Sequence, residues 1–546
     1  MRIKAAELFV RCLENEGVTT VYGIPGEENL DVMDALADSG IQFVTTRHEQ
    51  GAAFMADVSG RLTGQAGVCL ATLGPGATNL LTGVADANMD GAPLVAIAGQ
   101  AATTRMHKES HQVLDLQALF APVTKYTAQI RAPQIVGEVV RKAFKVAQIE
   151  KPGASFIEFP EDVAASPVEG KHPLRVQSPT PPLPSEKKIA QVVEVVDAAK
   201  TPVILAGNGV ARAGASDELV AFAERLNIPV ATTFMAKGVI PSSHPLALGT
   251  VGLQARDYVA CGFTNADLVI CVGYDIVEYQ PHHWNKEGHL KIVHLHAAPA
   301  EVDECYILEV GVVGHIAATL EAIARVGRPH EASPAADLDQ AVLDDVAGHA
   351  EDRGFPLKPQ KIIWDLRKAL GPEDIVVSDV GAHKLWMARM YQAERPNTCL
   401  ISNGLAAMGI AVPGAIAAKH VMPHRNVVAV TGDAGFLMNS QEIETAKRLR
   451  TPIVILIWND SAYGLIRWKQ MEHFGREIGV AFTNPDFVAY ARSFGVRGVR
   501  IEQSEDLAPA LAHALAADTV TLIDCPVDYR ENLQLPTIAG DLVCRD

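Results

Sequence analysis

The chain has 546 residues, more than one hydrophobic core organises, and its length fits about three domains. Apolar residues make up 48% and charged residues 20%, the balance of a folded globular protein and not of a disordered one. A formal net charge of −17 excludes a basic nucleic-acid footprint and any pull toward an anionic membrane.

The first segment, MRIKAAELFVRCLENEGV, carries charges every few residues and lacks the continuous apolar core of a secretion signal. Ala5, Leu8, Phe9, Cys12 and Leu13 recur at helical spacing and predict an amphipathic helix. Four strand-like runs follow: VTTVYGI, IQFVTTR, AGVCLATLG and PLVAIAG. A proline-rich stretch at 169–186 reads as a linker. Beyond it come PVILAGN, IPVAT, ADLVICVG and LKIVHLH, and then a second linker at 328–358. The last part holds DIVVSD, NVVAVTG, PIVILIWND and VTLIDCP. Short apolar runs spaced by helical patterns indicate parallel sheets covered on both faces. The expectation is an α/β protein of three doubly wound parallel-sheet domains over 1–170, 187–330 and 355–546. Leu405 to Ala418 is the most apolar long stretch; it is too short to span a bilayer and predicts a buried helix. Eight cysteines without a CxxC or regular spacing suggest buried thiols in a reduced, cytoplasmic setting.

The chemistry concentrates at strand ends. Gly432-Asp433-Ala434-Gly435 follows NVVAVT and opens a helix, where backbone N–H groups can face a phosphate. Asp433 would repel that phosphate unless a cation stood between them. The next strand ends in Asn459-Asp460-Ser461, so Asp433 and Asp460 can share one hard cation at the sheet edge, for which Mg²⁺ is suited. Each element alone reads as a helix cap or a turn; the pair, each member ending a buried strand, does not.

With 24 residues between Ala434 and Asn459, this pair resembles the thiamine diphosphate motif of the pyruvate oxidase, pyruvate decarboxylase and acetolactate synthase group. The resemblance implies Mg²⁺ held by Asp433, Asp460 and the Ala462 carbonyl, and a pyrimidine, a central and a diphosphate domain. It also implies cofactor contacts from Asp433, Ala434 and Gly435, from Gly381, Ala382 and His383 in SDVGAHKLW, and from Tyr463, Gly464 and Leu465. In ISNGLAAMGIAVPGA, the Ala406 carbonyl would accept from the cofactor's 4′-amino group and Met408 would wedge beneath it. Met408 by itself reads as core.

Arg47-His48-Glu49-Gln50-Gly51-Ala52-Ala53 follows IQFVTT. Taken alone, Glu49 is a helix-start glutamate favoured by the macrodipole. RHEQGAAFMAD, however, matches the family segment carrying the activating glutamate, which bonds the cofactor's pyrimidine N1′. Gln112, in SHQVLD, matches a glutamine near the reacting pyruvate, and GIPGEEN and GPGATN match segments lining the pocket. Relatives place the cofactor between the first domain of one subunit and the third of another. A homodimer or homotetramer with active sites between subunits is therefore expected.

The resemblance covers nearly the whole chain and is nearest to the acetolactate synthases of the catabolic type, which hold no FAD. VGYDIVEYQPHHWN (272–285), NDSAYGLIRWKQ (459–470) and the terminal CPVDYRENLQL carry that distinction. It implies condensation of two pyruvates to 2-acetolactate with loss of CO₂, Leu465 and Ile466 lending apolar walls. The alternatives are another 2-keto acid decarboxylase or carboligase, or a flavin-dependent pyruvate oxidase. The tryptophan by which biosynthetic relatives favour 2-ketobutyrate aligns with Lys469, with Trp468 one position early. Glu27 and Glu28 depart from the family pattern; they either repel pyruvate or face solvent.

Overall fold

The computed structural model describes residues 2–177, 180–252, 261–331, 338–532 and 535. Three six-stranded sheets, each wholly parallel, organise it. Edge to edge, the first runs Gln42–Thr45, Thr20–Gly23, Gly67–Ala71, Leu94–Gln100, Ala154–Pro160 and Tyr126–Gln129. The third runs Cys399–Ile401, Ile375–Ser378, Val427–Gly432, Val454–Asn459, Thr521–Pro526 and Arg497–Arg500. Counted along the chain, both have the order 2-1-3-4-6-5, so the repeated local plan in the sequence extends to whole sheets. The middle sheet runs Ala247–Thr250, Val230–Thr232, Pro202–Ala206, Leu268–Val272, Lys291–His296 and Leu308–Val313, the order 3-2-1-4-5-6. Central strands such as Leu94–Gln100 and Leu268–Val272 are buried throughout, as expected when helices cover both faces.

The chain packs as two compact units. One comprises Met1–Pro179 with Gly404–His424 and Asn439–Thr451; the other comprises Thr180–Asn403, Arg425–Met438 and Pro452–Asp546. In the first unit, the helix Ala411–Val421 lies along the helix Glu49–Thr63. A short antiparallel pair, Arg2–Lys4 with Pro167–Glu169, ties the start of this unit to the end of its sheet region. In the second unit one core runs through both sheets, from Leu205 and Trp284 to Val376, Trp386 and Trp458.

Two expectations change. The predicted helix over Leu405 to Ala418 is instead Ala411–Val421. Ala406 (φ 55°) and Gly409 (φ 93°) lie in the left-handed region and cannot continue a right-handed helix. Pro413 then falls in the first turn, where its missing N–H has no helical partner to lose. The second linker contains the helix Leu338–Gly348, which buries Val342 and Val346 one turn apart. Residues 178–179 of the first linker, 332–337 of the second and 533–534 of the terminal motif lie outside the described residues.

Among the described residues no helix is long and apolar enough to cross a membrane. Six described cysteines are free and buried. Burial pushes the thiols of Cys12 and Cys271 up to about 12 and that of Cys399 up to about 11, which leaves them inert. His294 and His296 stack at 5.6 Å; His294 bonds the Tyr306 hydroxyl (3.0 Å) and the Ala298 carbonyl (3.2 Å), and His296 Nδ1 accepts from the Ala298 N–H at 2.8 Å.

Candidate active site

Within the second unit, neighbouring strands Val427–Gly432 and Val454–Asn459 end side by side, with Gly432 opposite Trp458. This register brings together the turns that carry Asp433 and Asp460. Asp433 is buried; its Oδ2 accepts from the Ser461 N–H and from Asn484 Nδ2, both at 2.7 Å, and its Oδ1 accepts from the Ala434 N–H at 2.8 Å. Asn484 Nδ2 also reaches Asn459 Oδ1 at 3.0 Å, so it clasps both strand ends. Between Asp460 and Ala462, Ser461 takes φ 54°, a conformation a non-glycine residue adopts only when its surroundings impose it.

Asp460 is less well satisfied than Asp433. Its Oδ2 is buried without a hydrogen-bond partner, and the nearest cation, Arg467 Nη1, stands 3.7 Å away. Burial, and next the charge of Asp433, push its carboxyl up to about 7. Burial also raises Asp433, against the hydrogen bonds from Asn484, Ser461 and Ala434. Two carboxylates side by side, one buried and the other with a buried, unpartnered oxygen, call for a cation. Among the described residues no group of three or more His, Cys, Asp or Glu side chains is placed to hold a metal. Two carboxylates are a donor set that Mg²⁺ can take, its shell then completed by water and phosphate oxygens.

Glycines let the backbone pack closely against these side chains. A Cβ added to Gly464 would lie 2.8 Å from Asp460 Oδ2, and one on Gly381 would lie 2.9 Å from the His383 ring. The Gly435 position comes within 3.1 Å of the Asp379 carboxyl. His383, buried at the start of the helix Ala382–Met390, bonds the Asp379 carbonyl and keeps Nε2 without a partner. Burial drives that ring down to about 3, so it is neutral. Asp460 opens on a cleft of about 940 Å³ whose walls include Ser461, Gly464, Trp468, Asn484 and Tyr529. Trp468 is buried in that wall, whereas Lys469 is half-exposed and paired with Glu472 at 3.0 Å. Tyr463 packs edge-on against Phe482, Leu465 leans on the core, and Ile466 is exposed. The residues 381–383, 433–435 and 460–464 thus gather at one sheet edge.

The first unit holds the other predicted group. The strand Gln42–Thr45 leads into a turn, and His48 caps the helix Glu49–Thr63 by accepting from the Gln50 N–H at 3.0 Å. Glu49 is 9% exposed and its Oε2 accepts from Asn79 Nδ2 at 2.9 Å. Its Oε1 lies 3.5 Å from where a Cβ on Gly76 would sit. Gly51, Ala52 and Ala53 are buried, and Gly83 meets Ala53 so closely that an added Cβ would lie 2.5 Å from the alanine's own. Gln112 takes φ 59° and is exposed, with its Cβ 2.9 Å from the one Gly74 would carry. Glu27 faces solvent, and Glu28 accepts from the Thr72 hydroxyl at 2.8 Å.

Ala406 and Met408 also belong to this unit, on a segment pinned at both ends. The Gly404 N–H donates to Asp90 at 2.5 Å and Asn439 Nδ2 donates to the Gly409 carbonyl at 2.9 Å. Asp90 in turn pairs with Arg61 at 2.8 Å, which also holds Asp57 and Asp86. Asn439, Asn484 and Glu442 were not singled out from the sequence, and Asn79 only as the end of GPGATN. Their signal is a contact between distant segments, which no local pattern reveals.

The chain matches the model of the thiamine pyrophosphate enzyme N-terminal TPP binding domain over residues 3–119, that of the central domain over 189–323, and that of the C-terminal TPP binding domain over 379–525. It belongs to the thiamine pyrophosphate enzymes, whose cofactor is thiamine diphosphate. It is 37% identical to an acetolactate synthase of Bacillus subtilis, over 97% of this chain and 94% of the relative. It is also 37% identical to a catabolic acetolactate synthase of Raoultella terrigena, over 98% and 97% of the two chains. A probable acetolactate synthase large subunit of Methanocaldococcus jannaschii is 36% identical over 99% and 94%. Within the thiamine diphosphate enzymes, the chain belongs to the acetolactate synthase family, as a transferase that forms carbon–carbon bonds.

Proposed function

We propose that the protein condenses two molecules of pyruvate to 2-acetolactate with release of CO₂, using thiamine diphosphate held through Mg²⁺. The observation that carries this reading is the pairing of buried Asp433 with Asp460, whose buried Oδ2 lacks any hydrogen-bond partner at a glycine-lined strand edge. When bound, thiamine diphosphate supplies a carbon nucleophile and an electron sink for decarboxylation. Asp433, Asp460 and the Ala462 carbonyl would hold the metal, and the backbone around Gly381, Ala382, Ala434 and Gly435 would receive the diphosphate, with His383 beside it. Asn484 keeps Asp433 oriented. Glu49, fixed through one oxygen by Asn79, would hold the proton at the pyrimidine N1′. Gln112 on its exposed turn would meet the carboxylate of the substrate.

The family resemblance implies a homodimer or homotetramer with active sites between subunits, Glu49 coming from one chain and the aspartate pair from another. A flavin-free middle domain is part of the proposal. Glu278 is buried and accepts from the Asn208 N–H through both carboxylate oxygens (3.1 and 3.0 Å) and from the Thr233 hydroxyl at 2.6 Å. The backbone donor after the first middle strand, where a nucleotide phosphate would bind in such a sheet, is thus already taken by a carboxylate. Incubation with pyruvate, Mg²⁺ and thiamine diphosphate, followed by product analysis, tests the function. Acetolactate as the main product supports it; acetaldehyde, or acetyl phosphate from a yellow protein, overturns it.

A further inference from the structure

We propose that Glu442 is a positioning residue for Glu49, fixing the Arg47–His48 backbone from which the helix Glu49–Thr63 departs. Glu442 is fully buried. Its Oε1 accepts from the N–H groups of Arg47 and His48, each at 3.0 Å, and its Oε2 accepts from Arg47 N at 3.2 Å and from the Thr445 hydroxyl at 2.6 Å. These two N–H groups precede the helix and have no helical carbonyl to bond. The first turn of the helix presses directly on this carboxylate, since a Cβ added at Gly51 would stand 2.8 Å from Oε1. A second grip comes from the helix Ile443–Leu449: Arg448 Nη2 donates to the Thr45 carbonyl at 2.5 Å while Arg448 pairs with Glu444 at 3.0 Å.

Residues 45–48 are therefore held at two points by one short segment, and Glu49 is the next residue along. Thr445 fixes one oxygen of the carboxylate and the paired amides fix the other, so the clamp has a single geometry. Glu442 acts through the backbone; Asn79 then sets the rotamer of Glu49 itself. The inference rests on the reading of Glu49 given above.

The test combines kinetics with amide hydrogen exchange on Glu442→Gln, Glu442→Ala, Glu49→Gln and the double variant Glu49→Gln/Glu442→Gln. Displacing a reacting group by about 1 Å costs on the order of 100-fold in rate, so Glu442→Ala should lower kcat by roughly 100-fold and Glu442→Gln, which keeps one carbonyl acceptor, by roughly 10-fold. KM for pyruvate and the affinity for thiamine diphosphate should stay within about threefold, because the clamp touches neither binding surface. In cofactor-free protein, the amides of Arg47 and His48 should exchange at least about tenfold faster in Glu442→Gln than in the unmodified chain, as expected for local opening. The double variant should be no slower than Glu49→Gln alone, because both changes act on one group. Unchanged turnover and exchange in Glu442→Gln beside a disabled Glu49→Gln overturns the proposal alone, as do losses that multiply in the double variant. Full turnover in Glu49→Gln overturns the reading of Glu49, and the proposal with it. Should Glu442→Ala fail to fold, the Glu442→Gln exchange and kinetics decide.

Discussion

Replacing Asp460 with asparagine should stabilise the metal-free protein. An ionised Asp460 stands beside Asp433 with one oxygen buried and unpartnered, and desolvation and that neighbouring charge raise its carboxyl to about 7 from its ordinary 3.8. At 1.36 kcal/mol per tenfold, keeping it ionised at pH 8 costs the fold about 4 kcal/mol, an upper bound that relaxation will reduce. The sign follows from proton binding. Between pH 4 and 7 the folded chain holds a proton that the unfolded chain has lost, so stability falls as pH rises through that window and levels off above about 7. At pH 5 the same carboxyl costs much less, because the folded chain then keeps its proton. Asparagine keeps an oxygen for a metal and carries no charge, so thermal unfolding in EDTA should show a higher midpoint for Asp460→Asn at pH 8, by a few degrees, and a smaller advantage at pH 5. A variant that melts below the unmodified chain at pH 8, or by the same margin at both pH values, would refute the reasoning that this aspartate is held at a cost because a cation belongs there.

Glu49→Gln should bind thiamine diphosphate normally yet turn over roughly 10²- to 10⁴-fold more slowly, the range expected for a lost acid–base group; near-normal turnover assigns activation to another residue. Mixing Glu49→Gln and Asp433→Ala chains should restore activity that neither variant has alone, since one site of the hybrid would combine an intact Glu49 with an intact Asp433. Hybrids that stay inactive would place both groups of a site in one chain. With pyruvate and 2-ketobutyrate offered equally as acceptors, acetolactate should outweigh acetohydroxybutyrate, because Lys469 pairs with Glu472 and builds no apolar wall; a methylene is worth only about 1–3 kcal/mol even where packing is close. The opposite outcome assigns the wall to Trp468, and Trp468→Ala would then lose the preference.

The sheets were legible because buried parallel strands are written as unbroken apolar runs, and the equal strand orders of the first and third sheets extend a similarity already visible in segments 74–99 and 432–460. The meeting of Asp433 and Asp460 was legible for the same reason, since both end adjacent buried strands. What stayed hidden depends on distant contacts. Leu338–Gly348 read as linker because its helix is acidic and carries few buried apolar positions. The start of Ala411–Val421 is set by the left-handed turns at Ala406 and Gly409, which apolar content does not announce. Asn484 lies 51 residues from Asp433 and Glu442 lies 395 from Arg47, separations at which a sequence pattern carries no geometry. The ambiguity at Glu27 and Glu28 also needed coordinates: one side chain faces solvent and the other is held by Thr72.

The most direct test of the central claim is calorimetric titration of the metal-free protein with thiamine diphosphate, in Mg²⁺ and in EDTA, for the unmodified chain and for Asp433→Ala. One cofactor per chain should bind, only with Mg²⁺ present, and binding should be lost or greatly weakened in Asp433→Ala. Equal binding in EDTA, or an unchanged Mg²⁺-dependent affinity in Asp433→Ala, would contradict it.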